Sequence, residues 1–140
     1  MTAFDLEILT PEKPFFRGKC VSVVFPAIDG MMGVLAYHSP MNAAICDGKV
    51  VFTLPEGEVR ICAVTRGMIS VSDRRTRILC ESAIAFEDID VEKERIAMQK
   101  AELEMRKTQS HEEYLVSKLA FAKAINRLKV KQYSSIYTEQ

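Results

Sequence analysis

Side chains that do chemistry are few in this sequence, and their spacing assembles no catalytic group. The 140 residues include two histidines, His38 and His111, which are too few for a histidine metal site. No Cys-x-x-Cys pair exists, because the four cysteines stand at positions 20, 46, 62 and 80. A nucleophilic pair of His38 with Cys46 or Cys62 has no spacing to support it. We therefore predict no metal site and no active site, and we interpret the cysteines as small buried hydrophobic residues in a reducing compartment.

Signals for nucleotide, nucleic acid and membrane are also missing. Neither Gly18-Lys19 nor Gly48-Lys49 has the first glycine or the hydroxyl of a phosphate-binding loop. Nineteen basic and nineteen acidic residues cancel, so no excess of positive charge is available for nucleic acid or anionic lipid. The start of the chain has neither a basic leader nor an apolar run of membrane-spanning length. We expect a cytoplasmic protein that binds no nucleic acid and does not insert into the membrane directly.

The composition of the chain changes near residue 87. All six glycines lie at or before Gly67 and all five prolines at or before Pro55, so the last 73 residues contain neither. Glycine and proline favour turns, and their absence permits long helices. The sequence therefore predicts a turn-rich first part and a helical second part.

The first part has the pattern of short strands. Phe4, Leu6 and Ile8 alternate with acidic residues, which is the period of two expected for a strand with one buried face. Further β-rich runs are predicted at residues 20–25, 48–54, 58–64, 68–71 and 77–85, with a hairpin turn at Pro55-Glu56-Gly57-Glu58. Many short strands without intervening helices are typical of a sandwich or a flattened barrel.

The second part predicts two helices separated by a short link. Asp90 is placed to cap the first helix, and Ser110 with Glu113 has the spacing of a capping box for the second. The predicted apolar stripes are Ala97, Met98, Ala101 and Met105 in the first helix, and Leu115, Leu119, Phe121, Ala122, Ile125 and Leu128 in the second. The pattern fails at residues 107–109, so the helices should fold back as an antiparallel hairpin. Such a hairpin buries little surface and must lean on the β part or on another protein.

Met31 and Met32 stand together between Gly30 and Gly33. They cannot both face a core if this segment is extended, because successive side chains of a strand point to opposite faces. An exposed methionine suits a partner surface, since its thioether adapts to irregular contacts. A loop folded down onto its own domain is the other interpretation, and the sequence leaves both open.

The order of several short motifs resembles the epsilon subunits of F-type ATP synthases. The opening Leu9-Thr10-Pro11-Glu12-Lys13, followed by Phe16, Gly18, Val21 and Val24, is similar to the start of that family. The residues from Phe25 to Gly30 and from Gly33 to Pro40 resemble its loop, and Gly48-Lys49-Val50 and Glu87-Asp88-Ile89-Asp90 follow at similar spacings. The resemblance extends over nearly the whole chain, and the ordered set is more specific than any single motif.

The resemblance implies a β + α architecture, with an N-terminal ten-stranded β-sandwich over residues 1–86 and a C-terminal antiparallel two-helix hairpin over residues 88–140. It implies a non-catalytic subunit of the central stalk, or rotor, which couples proton or sodium translocation to ATP synthesis. Such a subunit lies peripherally at the cytoplasmic face of the cell membrane. The implied partners are the gamma subunit and the membrane rotor-ring subunits, contacted through Met31, Met32 and His38. The hairpin is implied to regulate ATP hydrolysis by extending towards the alpha and beta subunits.

Some members of that family carry an ATP-sensing motif, Ile/Leu-Asp-x-x-Arg-Ala, on the first helix. Here the motif is Ile89-Asp90-Val91-Glu92-Lys93-Glu94, so lysine replaces an arginine that could hold phosphate with two nitrogens, and Glu94 adds negative charge. The basic residues placed to support such a site are Lys100, Lys123 and Arg127. We expect no resident cofactor and at most weak ATP binding. Lys123 and Arg127 lie one helical turn apart and share a helix face. They suit a contact with the catalytic head equally well, and they also suit a face that is exposed to solvent.

Ala36 and Tyr37 replace the Pro-Gly that usually precedes the loop histidine in that family, and we expect a different backbone path there. Two other functions compete with the stalk subunit. A nucleotide-sensing module, with ATP binding as its primary output, would bind ATP tightly as an isolated chain. An uncharacterised β-sandwich enzyme would need a catalytic group that two histidines at these positions do not supply.

Overall fold

The computed structural model describes residues 1–107 and 110–138, with side chains described as far as residue 132. The strands are β1 (Phe4–Leu9), β2 (Pro14–Cys20), β3 (Ser22–Ala27), β4 (Gly30–Leu35), β5 (Met41–Ile45), β6 (Gly48–Thr53), β7 (Val59–Val64), β8 (Gly67–Ser72), β9 (Arg75–Cys80) and β10 (Ala83–Ala85). A 3-10 turn (Phe86–Asp88) and two helices, α1 (Val91–Arg106) and α2 (His111–Thr138), follow. This order confirms the predicted fold class.

The ten strands form two five-stranded sheets. The first sheet has the order β2-β1-β9-β8-β5 and the second has the order β10-β7-β6-β3-β4. The pairs are antiparallel except for β1 with β9, where Leu6 lies opposite Thr76 in a parallel register. The inward side chains of both sheets form one core, whose largest fully buried members are Phe25, Phe52, Leu6, Ile8, Ile69 and Ile78. The chain divides into two compact units, Met1–Phe86 and Glu87–Gln140.

The predicted strands are correct where alternation or turn chemistry is strong. Phe4, Leu6 and Ile8 are buried as expected, and β6 pairs with β7 across a turn in which Gly57 has a φ of +101°. The prediction missed β2, β4 and β5 as separate strands and merged β9 with β10. The missed strands are rich in glycine, alanine, proline or charge, so their β-propensity is low and their place in a sheet depends on neighbouring strands.

Three of the four cysteines behave as predicted. Cys20, Cys62 and Cys80 are buried in the sandwich core, and Cys46 is half-buried. Desolvation raises the pKa of Cys20 to about 12 and the pKa of Cys80 to about 11, so both thiols stay protonated at neutral pH.

Both predicted helix caps are present. The Asp90 side chain accepts hydrogen bonds from the backbone N–H groups of Glu92 and Lys93, at 3.1 and 3.2 Å. The Ser110 hydroxyl accepts one from the Glu113 N–H at 3.2 Å. These bonds satisfy backbone donors that a helix start leaves without a partner. α1 ends at Arg106, and Thr108 and Gln109 of the predicted break lie outside the described residues.

The predicted apolar stripes of the helices are wrong in part. Ala97 is exposed, and the inner line of α1 consists instead of Glu94 and Ala101, which are buried, with Met98 and Met105, which are half-buried. In α2, Leu115 and Leu119 are exposed, whereas Ala124, Asn126 and Val130 are buried. Leu115 precedes Ala124 by nine residues, or two and a half turns, and therefore lies on the opposite side of the helix.

Glu7 joins three strands on the outer face of the first sheet. Its carboxylate accepts hydrogen bonds from Arg77 on β9 at 3.1 Å and from Arg17 on β2 at 3.2 Å, and Arg75 lies 3.7 Å away. The hydrogen bond from Arg77, with the nearby positive charges, holds the pKa of Glu7 below its usual value despite some desolvation. The charged form of Glu7 is therefore favoured by folding.

We expect Glu7→Gln to lower the melting temperature at pH 7, because the variant loses the carboxylate that three arginines surround. A folded-state pKa below the unfolded one contributes stability above the unfolded pKa, and this stability is lost as the pH falls through the folded value. The gap between wild type and variant should therefore close below about pH 4, near the unfolded pKa of a glutamate. Thermal unfolding, monitored by circular dichroism at several pH values from 7 to 3, measures this difference in melting temperature.

Glu58→Gln is the matched control. Its carboxylate is 53% exposed and lies 3.5 Å from a single arginine, Arg60, so the substitution should change the melting temperature little at any pH. A Glu7→Gln gap of the same size at pH 7 and at pH 3 would contradict the assignment.

Candidate partner-binding surfaces

The β3–β4 apolar surface consists of the exposed side chains Ile28, Met31, Met32, Leu35 and Tyr37. Met31 is 50% exposed and Met32 is 40% exposed. No Asp, Glu, Lys or Arg occurs from residue 30 to residue 45, in a chain that is 27% charged. Asp29, next to Ile28, and Arg74, beside the Tyr37 ring, add charge at this surface. Exposed apolar side chains grouped in this way are typical of a surface that another protein covers.

The strand arrangement explains why both methionines are exposed. β4 is the last strand of the second sheet, and its register places Met31 opposite Pro26 and Met32 opposite Phe25. The two side chains point to opposite faces of the strand, and an edge strand leaves both faces open at its rim. The interpretation in which this segment folds down and hides its methionines is wrong.

His38 and Tyr37 lie in the segment that leads from β4 to β5. The His38 N–H donates to the Leu35 carbonyl at 3.2 Å, and its Nδ1 lies 2.7 Å from the Ser39 carbonyl oxygen. A carbonyl oxygen only accepts, so Nδ1 is the donor in this contact. His38 is half-buried, and in the sequence it directly follows Tyr37 of the β3–β4 apolar surface. Its predicted contact role stays a prediction.

Tyr37 has a φ of +67°, in the left-handed region. Side chains with a Cβ enter this region at a steric cost, and glycine enters it freely. The ring of Tyr37 is exposed, and the guanidinium carbon of Arg74 lies 5.9 Å from its centroid. The loop therefore holds a tyrosine in a conformation that glycine favours, and the predicted difference in its path stays a prediction.

The predicted ATP-binding residues are scattered over the two helices in different environments. Ile89 is buried, and Asp90 caps α1 with its carboxylate. Lys93 and Lys100 are exposed on α1, whereas Lys123 is half-buried on α2. The residue that remains, Arg127, faces a carboxylate.

Arg127 and Glu94 form an ion pair between the helices. The Arg127 Nη1 donates to the Glu94 Oε1 at 3.1 Å, and the two side chains are 17% and 6% exposed. The sequence prediction treated Glu94 only as added negative charge and missed this pair. The spacing of residues 94, 98, 101 and 105, which is four, three and four, is the signal that places Glu94 on the inner line of α1.

Two kinds of site are not found among the described residues. Residues 1–107 and 110–138 contain no group of three or more His, Cys, Asp or Glu side chains placed to hold a metal ion. Over the same ranges, no helix combines the length and the apolar character needed to cross a membrane.

Comparison with known proteins identifies the family. Residues 3–86 match the beta-sandwich domain of the ATP synthase delta/epsilon chain, and residues 87–132 match its long alpha-helix domain. The chain belongs to the ATP synthase epsilon chain family. The epsilon chain of Ruminiclostridium cellulolyticum is 38% identical over 128 residues, which cover 91% of this chain and 95% of that one. The epsilon chain of Persephonella marina is 37% identical over 112 residues, which cover 79% and 82%.

Solved ATP synthase structures share the fold of this epsilon-family chain. A chain of the Euglena gracilis mitochondrial ATP synthase, solved as OSCP/F1/c-ring, aligns with a TM-score of 0.73 at 17% identity and covers 97% of this chain and 82% of that one. A chain of the Tetrahymena thermophila mitochondrial central stalk/c-ring aligns with a TM-score of 0.64 at 11% identity and covers 91% and 95%. Similarity at such low identity establishes the fold alone.

The strain at Tyr37 can be measured with two variants. Tyr37→Gly and Tyr37→Ala both remove the ring and its contact with Arg74, but only glycine relieves the left-handed conformation. We expect the glycine variant to be the more stable of the two by about 1 kcal/mol, after its larger entropy loss on folding is included. Urea unfolding of both variants gives the difference. An alanine variant as stable as the glycine variant would show that position 37 is unstrained.

Proposed function

We propose that this chain is a non-catalytic, regulatory subunit of the central stalk of an F-type ATP synthase. In this role it couples proton or sodium translocation to ATP synthesis, at the cytoplasmic face of the cell membrane. Membership of the epsilon chain family supports the complex. The observation that carries the proposal within this chain is the exposed β3–β4 apolar surface, most of which lies in residues 30–45, a range without Asp, Glu, Lys or Arg.

The partners proposed for this surface are the gamma subunit and the membrane rotor-ring subunits. Methionine side chains adapt to irregular apolar contacts, and burial of an exposed apolar side chain stabilises a complex. His38 adds a polar imidazole ring in the same chain segment. A rigid sandwich that presents such a surface can anchor the subunit without catalysis of its own.

The helical hairpin supplies the proposed regulation. It exposes several large apolar side chains, among them Ile96, Leu103 and Val116, each more than half exposed. In the extended arrangement these side chains would meet gamma, alpha and beta subunits, and the hairpin would slow ATP hydrolysis. An arm of this kind moves only if a partner binds one arrangement more tightly than the other.

Nucleotide sensing as the primary output has less support. Asp90 is engaged in the helix cap, and Arg127 is engaged with Glu94. Lys93 and Lys100 remain exposed on α1, and they supply point charges in place of an arginine fork. We expect any binding of ATP to the isolated chain to be weak.

ATP hydrolysis by the cognate alpha–beta–gamma complex tests the regulatory role. We expect the full chain to lower the rate, and a chain truncated after Asp88 to bind the complex without lowering it. The sandwich unit ends at Phe86, so the truncation leaves it whole. Equal rates with both chains bound would leave a coupling role only, and failure of both chains to bind would contradict the proposed membership of the stalk.

Two substitutions to a charged residue test the anchoring surface. Met31→Glu with Met32→Glu places two charges at an apolar contact, and we expect the affinity for the gamma subunit with the rotor ring to fall at least roughly tenfold. Calorimetry or surface plasmon resonance measures the affinity, and thermal unfolding checks that the variant is folded.

Val59→Glu is the control. Val59 is 57% exposed on β7, which is three positions away from the edge strand β4 in the order of this sheet. The control should bind as the wild type does. An equal loss for Val59→Glu, or none for the double variant, would remove the surface from the proposal.

A further inference from the structure

A charged pair stands where the two helices would be expected to share apolar residues. Glu94 is the first residue of the inner line of α1. Ala101 of the same line is also buried, and a small apolar residue of this kind is usual where two helices meet. The Glu94 side chain is 6% exposed and its partner Arg127 is 17% exposed. α1 and α2 pack against each other, so this pair belongs to their contact.

Other ion pairs of α1 differ in kind. Arg106 with Glu102, and Lys107 with Glu104, join residues that are one turn apart in the same stretch of chain. Their carboxylates are 45% and 42% exposed, so water screens them and they do not depend on α2. The Glu94–Arg127 pair exists only while the two helices are together.

Burial of an ion pair has both a cost and a gain in free energy. Each charge loses its hydration when the helices close, and the attraction of the opposite charge offsets part of this loss. When the helices separate, water solvates both groups again. An ion pair therefore holds a hairpin closed while leaving it nearer to balance than an apolar contact of the same size would.

We infer that the Glu94–Arg127 pair is an intrinsic latch, which closes the two helices on each other without a bound nucleotide. The Glu94 carboxylate engages Nη1 of Arg127 and offsets its positive charge, so this guanidinium attracts a phosphate less while the latch is closed. Opening of the hairpin releases Arg127 for an acidic partner. The latch is a property of the isolated chain, and only its consequence for hydrolysis rests on the proposed function.

Hydrogen exchange of the full-length chain tests the latch. Glu94→Ala leaves Arg127 in the contact without its partner, and we expect the amides of α1 to exchange at least roughly tenfold faster than in the wild type. Glu94→Arg combined with Arg127→Glu should recover most of the protection, because it restores opposite charges. Amides of the sandwich, residues 4–85, serve as an internal reference and should not change.

The control is Glu102→Ala, which removes an exposed pair from the same helix. Its effect on exchange should stay within about twofold, because exposed pairs contribute little. Addition of Mg-ATP to the wild type should leave exchange in α1 unchanged. Equal exchange in Glu94→Ala and wild type, or clear slowing of the wild type by ATP, would overturn the inference.

The outcomes separate the latch from the proposed function. If exchange responds as described but the full chain does not inhibit the alpha–beta–gamma complex, the latch stands and the regulatory role falls. If inhibition is found but exchange does not depend on Glu94, the regulatory role stands and the latch falls.

Discussion

The contact between the Glu94 carboxylate and the Arg127 guanidinium governs the helical part of this molecule. Two helices of this composition bury few large apolar side chains, and the buried positions of their contact include alanine, asparagine and glutamate. Packing alone is therefore a weak restraint, since isolated helices of this length are marginal in water. One charge-assisted hydrogen bond of 3.1 Å, shielded from solvent, adds a restraint that vanishes when the helices separate.

The sandwich has the opposite character. Seventeen buried side chains form one continuous core between its two sheets. The parallel pairing of β1 with β9 joins the start of the chain to residues about seventy positions later, which a partial unfolding of the unit would have to break. A rigid base of this kind suits the β3–β4 apolar surface, because a rigid surface loses less conformational entropy when a partner binds it. The contrast between a sandwich with one continuous core and a helix pair with few large buried side chains is the physical basis of the proposed function.

Much of the fold could be predicted from the sequence, and less of the sites. The glycine and proline distribution marked the two parts, and Asp90 and Ser110 marked the helix starts, because caps and turns depend on local chemistry. β4 and β5 were not found from local pattern, because their pairing depends on strands far away in the sequence. The exposure of Leu115 and Leu119 could not be predicted either, because periodicity alone does not show which face of α2 packs against α1.

The role of Glu94 shows the same limit. A glutamate is expected on a helix surface, and its burial is acceptable only because Arg127, thirty-three positions later, meets it. The spacing of four, three and four residues was present in the sequence, but a charged residue in such a line suggests an exposed face until its partner is known. The exposure of a methionine at Met31 or Met32 was easier to predict, because adjacent residues of a strand cannot both be buried on one side.

We propose that the hairpin is closed in the isolated chain and opens in the complex. The most direct test attaches spin labels at two exposed positions, Gln99 on α1 and Lys129 on α2, and measures their separation by pulsed electron paramagnetic resonance. We expect a single short separation in the isolated chain, and a second, longer one when the labelled chain inhibits the alpha–beta–gamma complex. The same single short separation in the inhibited complex would contradict it.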